Sequence, residues 1–324
     1  MIRFLRSLLF SPSQKVPNVA PKRLGINLSA IVGALVEEKG FPRPQWEIIQ
    51  GWINTHVSKE DLSGAWQEAA FDWLSELQGH LGADYSVHQS ANFLLLTSRG
   101  PSSSKSILGT CESAVLLLTN WLGKIAEKRG YGKHVILDFA SRGSYYDYVS
   151  YFYPPGAPLI ASGGIFLGGG YQHIALPPAN STQDALIHEL THNRLSHLRL
   201  PLWLEEGIAV TMERRIGGKK HGMLDRELQR KHHNYWTKET IAAFWAGSSF
   251  KNIDGKVIHL SYSLAEILVD LLVQEFANFM EFVARADRKD AGQAASADVL
   301  GVSLNDIVST FLGPGEWAPE KSQT

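Results

Sequence analysis

Asp184-Ala185-Leu186-Ile187-His188-Glu189-Leu190-Thr191-His192, followed beyond Pro201 by Leu202-Trp203-Leu204-Glu205-Glu206-Gly207, is the stretch from which the rest of the chain can be read. Ser181 with Asp184 forms a capping box, so a helix starts there and runs to about Arg199, before Pro201. At 3.6 residues per turn, His188 and His192 project from one face and converge on one ion. Glu189 lies on their flank, where it can reach a water held by that ion. A catalytic zinc takes three protein ligands at about 2.0 to 2.2 Å and keeps a further position for water. A third ligand is therefore required, and since Cys111 is the single cysteine it must be a histidine or a carboxylate. Pro201 suits the first turn of a second helix, and Leu202-Trp203-Leu204 gives that helix an apolar face. Glu205 and Glu206 can both fold back from it. Adjacent helical positions point about 100° apart, and spacing alone leaves the two open.

Upstream, Gly163-Gly164-Ile165-Phe166-Leu167-Gly168-Gly169-Gly170 has neither GxGxxG nor the GKS/T of a phosphate loop. It suits an edge strand that another backbone approaches closely, as an extended peptide would. Tyr171 to Leu176 reads as a short strand. Before it, Tyr85, Val87 and Phe93-Leu94-Leu95-Leu96 read as strand, Ile107 to Lys128 as a long amphipathic helix, and His134 to Phe139 as a second buried strand. The aromatic run Tyr145, Tyr146, Tyr148, Tyr151, Phe152 and Tyr153 reads as core packing rather than a substrate cleft. Nearer the N-terminus, Leu28 to Val36, Trp46 to Val57 and Leu62 to Leu81 carry apolar residues at helical spacing, with Pro42 and Pro44 separating the first two helices.

His188-Glu189-Leu190-Thr191-His192 followed by Leu202-Trp203-Leu204-Glu205-Glu206-Gly207-Ile208-Ala209 resembles the gluzincin metallopeptidases, with their HExxH helix and W-L-x-E-G-x-A ligand helix. The short gap between the two motifs is similar to that of the compact bacterial peptidase-MA-like proteins. In that pattern the glutamate immediately before the glycine is the ligand, which implies His188, His192 and Glu206 on a single Zn2+ and Glu189 as the general base. The resemblance is specific over about 170 to 210 and diffuse over 84 to 285. It implies an α+β fold: a zincin-like lobe over 83–200, with a small mixed sheet and the active-site helix, and a helical C-terminal lobe over 201–324; residues 1–82 lie outside the resemblance and read, from their periodicity, as a helical N-terminal extension. The implied activity is metal-dependent hydrolysis of peptide or protein substrates. A catalytically inactive zinc-bound interaction module and a zinc hydrolase of a non-peptide amide are the alternatives.

Charge developing on the carbonyl oxygen calls for a stabiliser. Tyr262, opening an apolar helix from Ser263 to Phe282 where gluzincins often set a catalytic tyrosine, is the expected one, with His259 second. His197 turns about 140° away from His192 and reads as a solvent-side or supporting residue. His221, His232 and His233 sit among Lys219, Lys220, Arg226, Arg230 and Lys231 and read as a solvated helix face. Ser303 and Asp306 form a capping box for a last helix, and the final ten residues read as loose.

A formal net charge of -1 provides no overall field for a polyanion, so nucleic acid is not expected as a partner. No stretch approaches 18 uninterrupted apolar residues, so no transmembrane segment is expected. Met1 to Phe10 carries Arg3 and Arg6 but only Ser7-Leu8-Leu9-Phe10 before Ser11-Pro12, short of a secretory core of about 7 to 15 residues. A cytoplasmic protein is expected, with an amphipathic tail or an atypical export signal as the rival. Substrate specificity and oligomeric state are not encoded legibly.

Overall fold

In a strand, successive side chains leave on opposite faces, so a run such as Phe93-Leu94-Leu95-Leu96, apolar at every position, needs cover on both sides. The structure, a computed structural model, describes residues 24–154, 163–179, 182–217 and 226–320, and it gives that run such cover. The expectations for Met1 to Phe10, for Ser181 as a cap, and for Lys219, Lys220 and His221 lie outside the described residues.

The chain opens with a hairpin of β1 (Leu35–Glu38) and β2 (Phe41–Pro44), then two helices, α1 (Trp46–His56) and α2 (Leu62–Leu81). Next come β3 (Ser86–Gln89), β4 (Phe93–Thr97), α3 (Pro101–Leu122), β5 (His134–Asp138), α4 (Arg142–Val149), β6 (Ile165–Leu167) and β7 (His173–Leu176). The rest is helical: α5 (Gln183–Leu195), α6 (Leu202–Ile216), α7 (Arg226–Tyr235), α8 (Lys238–Trp245), α9 (Gly255–Glu275), α10 (Phe279–Arg285), α11 (Gln293–Ala295) and α12 (Leu304–Leu312). The fold is mixed α+β.

The main sheet has the order β3-β4-β5-β7-β6, with β4, β5 and β7 parallel in its middle and an antiparallel strand at each edge. Every residue of β4, β5 and β7 is buried. Alternation divides the molecule into two cores. Leu94, Leu96, Val135, Leu137 and Ala175 face Trp73, Leu74 and Leu77 of α2, together with Tyr145 and Tyr148 of α4. Phe93, Leu95, Ile136, Ile174 and Leu176 face α3, α5 and the helices beyond. Of the aromatic run, Tyr145 and Tyr148 are core, as expected, while Tyr146, Tyr151, Phe152 and Tyr153 are half-buried: the Tyr148 hydroxyl lies 2.8 Å from His173 Nε2, and the Arg43 guanidinium sits 4.3 Å from its ring centre.

Four local expectations are corrected. Leu28 to Val36 is not a helix. It is a 3-10 turn at Leu28–Ala30 and then β1, because Lys39 and Gly40 both take positive φ (50° and 68°) and reverse the chain in a two-residue hairpin turn. Pro42 and Pro44 therefore sit in a strand of a two-stranded ribbon, where a missing N–H is tolerated, rather than between helices. The helix carrying Tyr262 starts earlier than expected, at Gly255, because the Asp254 side chain accepts from the Lys256 amide and caps it. His232 is fully buried, not solvated: its Nε2 is 3.0 Å from Ser263 Oγ and its Nδ1 accepts from Trp236 Nε1 at 2.9 Å. The capping box of Ser303 and Asp306 forms as expected.

By length and composition α9 is apolar enough to cross a membrane, yet here Leu264, Ala265, Leu268, Val269 and Leu272 lie in the second core. Its partner is α6, and Gly207 is the point of approach. A Cβ there would stand 2.6 Å from the Ala265 carbonyl oxygen and 2.7 Å from Val269 Cγ2. Glycine after Glu206 thus lets two helix backbones touch one residue away from the carboxylate.

Candidate metal centre

Leu186, Ile187, Leu190 and Leu195 pin α5 into the core, which leaves His188 and His192 on its other face, ring centres 4.7 Å apart, looking at α6. α6 starts after Pro201 and buries Trp203, Leu204 and Ile208; the indole of Trp203 also donates to the Ala291 carbonyl at 2.9 Å. With that face committed to the core, Glu206 is carried to the histidines. Its Oε2 lies 3.2 Å from His188 Nε2 and 3.5 Å from His192 Nε2, and ligand atoms of all three residues fall within 4.8 Å of one another. Ligands about 2.1 Å from a tetrahedral ion stand about 3.4 Å from each other. The spacing is that of ligands waiting on a common ion, and this cluster can hold a metal.

Two further observations fit a cation. Glu206 is buried, and its Oε2 is turned to the two imidazole Nε2 atoms. The far nitrogen of each imidazole is held by an acid: His188 Nδ1 donates to Glu213 Oε1 at 2.6 Å, and His192 Nδ1 donates to Glu205 Oε1 at 3.0 Å. A carboxylate can only accept there, so each Nδ1 carries a proton, and an ion would take the place of the proton on Nε2. Glu205 is accordingly an orienting residue, and Glu206 is the one that reaches both Nε2 atoms.

The acids set the protonation of the cluster. Burial pushes His188 down, but its bonds to Glu206 and Glu213 outweigh this and hold it up at about 9. Burial opposes and Glu205 and Glu206 override in the same way at His192, which is held well above its ordinary value. For Glu206 burial pushes up, while the two histidines bring the carboxyl down to about 2. Four carboxylates around two imidazoles make a negative nest that draws in positive charge, whether protons or a metal ion.

Glu189 stands beside the cluster. Its Oε2 accepts from the backbone N–H of Phe166 at 2.7 Å, and burial raises its carboxyl above the usual range against the pull of His192 and His188. The glycines expected to admit a neighbouring backbone have a second use here: a Cβ on Gly164 would be 3.3 Å from Glu189 Cγ and 2.7 Å from Leu176 Cδ2. Segment 165–167 is an edge strand, as expected.

Tyr262, on the second turn of α9, has its ring centre 6.4 Å from that of His188 and packs edge-on against Phe250. Burial first, then the charges of Glu206 and Glu189, push its phenol above its ordinary range. His259 is exposed, and its charge bears on His232. His197 is half-buried and is pushed down by burial and by Arg129.

Two residues escaped the sequence reading. Glu213 lies two helical turns beyond Glu206, and that periodicity on the ligand helix was the available signal. Tyr153, at the end of the aromatic run, is raised by burial and then by the charge of Glu189, which places its phenol in the electrostatic reach of the base. Nothing in the local pattern separates it from the core tyrosines before it. No family model matches this chain, and no curated protein matches it.

Proposed function

We propose that the protein is a zinc-dependent metallopeptidase of the gluzincin type, in which His188, His192 and Glu206 hold one zinc ion and Glu189 is the general base. The observation that carries this reading is the pair of Glu206 Oε2 distances to the two Nε2 atoms, with each Nδ1 tied back by its own acid. Zinc bound there supplies Lewis acidity for a carbonyl and acidifies a water.

The chain's own groups do the rest. Glu189, close to the cluster yet outside the ligand set, takes a proton from the attacking water and delivers it to the leaving amine. Its raised carboxyl brings its basicity nearer neutrality, which suits a group that must accept and then release a proton. Tyr262, kept neutral, has an O–H to offer to the oxygen on which charge develops. The edge strand β6 supports a peptide as substrate, because it is the last strand of the sheet among the described residues and its Phe166 amide, held by Glu189, is the donor an extended chain would need.

The test is hydrolysis of a broad peptide library by protein loaded with zinc. Activity should vanish on chelation, return with zinc, and fall by at least about a hundredfold in Glu189→Gln, the scale of a lost general base, while zinc stays bound. Wild-type turnover by Glu189→Gln sinks the mechanism. Cleavage of small amides without cleavage of any peptide sinks the substrate class.

A further inference from the structure

Away from the metal cluster, a cavity of about 650 Å³ opens where the last turn of α5 meets the chain entering β5 and β7. Part of its wall is aromatic: Trp46, Trp66 and Tyr171 stand against one another with ring centres 5.2 to 6.1 Å apart. Another part is cationic, formed by Lys128, Arg129, Lys133 and Arg194.

Arg194 decides the reading. It is only 4% exposed, its Nε has no hydrogen-bond partner among the described residues, and its Nη1 makes a long 3.5 Å bond to the Ala126 carbonyl. His134 beside it is 9% exposed with an unpartnered Nε2, and burial, then the charges of Arg194 and Lys128, hold it neutral, down to about 3. The carboxylate whose charge reaches Arg194 is Glu112, and its oxygens are taken by Ser90 Oγ, the Asn92 amide and Asn92 Nδ2 at 2.7 to 2.8 Å. Glu47 and Glu127 also line the cavity but are exposed to water.

A buried guanidinium whose Nε lacks an acceptor among the described residues is unfavourable, and a planar fork of N–H donors matches an oxyanion. Arg194 lies two residues beyond His192, about 200° round the same helix, so it serves a site of its own. We propose that this cavity binds a small organic oxyanion, a phosphate- or carboxylate-bearing molecule with a flat apolar body, its anionic end on Arg194 and its body against Trp46 and Trp66.

The test uses the full chain, with calorimetric titration and thermal melting, and three probes: phenyl phosphate, benzoate and inorganic phosphate. Phenyl phosphate or benzoate should bind with one-to-one stoichiometry and raise Tm, the tighter of the two naming the head group. Inorganic phosphate should bind at least about tenfold more weakly than phenyl phosphate, for want of the aromatic contact. Arg194→Met should weaken binding at least about tenfold and leave the Tm of the free protein unchanged or higher. If Arg194 only caps the Ala126 carbonyl, that variant lowers the free protein's Tm, no probe binds, and the proposal is overturned. Should Arg194→Met not fold, exposed Arg129→Gln carries the test: affinity falls at least about threefold as one charge is lost, and an unchanged affinity overturns the proposal. Failure of all three probes to bind at millimolar concentration overturns it as well.

Discussion

One helix, α5, carries two charged neighbourhoods of opposite sign. On the face of His188 and His192, acids outnumber bases, and the imidazole Nδ1 protons both have named acceptors. Round the helix, Arg194 sits among other cations and its Nε has no acceptor among the described residues. A fold that balanced its charges internally would have exchanged partners between these regions. This one keeps both imbalances, and each fits the partner proposed for it: a cation on one side, an anion on the other.

The largest expected effect bears on the first region. Glu206→Gln should abolish retention of zinc through dialysis against a weak chelator, measured by elemental analysis. Glu213→Gln and Glu205→Gln leave the ligand set intact and should weaken zinc about 10 to 100-fold each, the usual consequence of losing a support to a liganding imidazole. Glu213 should matter more, since its bond is 2.6 Å against 3.0 Å for Glu205. If Glu205→Gln abolishes retention while Glu206→Gln keeps it, the two roles are reversed.

The histidines sharpen the contrast next. His188, among acids, is held up at about 9, whereas His173 and His232, buried without an acid, are pushed down to about 4 by desolvation. A depressed folded value means that the unfolded chain takes the proton first as pH falls below about 6.5, so stability declines from there to about pH 4 and is steady above. At pH 5 each should remove about 2 kcal/mol. Urea unfolding between pH 7 and 5 checks this, and His232→Asn should make the decline shallower. An equal slope in that variant contradicts the assignment.

The smallest effect concerns what holds the metal face together. Gly207→Ala forces a Cβ against the Ala265 carbonyl and should destabilise by about 1 to 3 kcal/mol, the range for an overpacked contact. Because the contact adjoins Glu206, zinc affinity should fall with it. A variant with reduced Tm and unchanged zinc affinity would separate the helix crossing from the site.

Much of this was legible in the chain. The i, i+4 histidines mark their helix by spacing, and the short apolar runs at Phe93 to Leu96 and His134 to Phe139, the first closed by Arg99-Gly100-Pro101, mark buried strands by length, and those elements formed. The resemblance, rather than spacing, favoured Glu206 over Glu205, and the geometry brings Glu206 to the histidines. What was not legible depends on contacts distant in sequence or on backbone angles. Lys39 is a non-glycine residue at positive φ, so the hairpin turn leaves a weak trace, and the prolines after it read as breaks. Arg194 has no local signal that marks it as buried, and its burial, with Nη1 on the Ala126 carbonyl, depends on a contact 68 residues away in the chain.

The amide of Phe166 has a single hydrogen, and Glu189 holds it. A substrate strand laid along the outer side of β6 would compete for that same hydrogen. On the proposed reading, arrival of a peptide and release of Glu189 would be a single exchange, a backbone carbonyl taking the hydrogen that the carboxylate now holds.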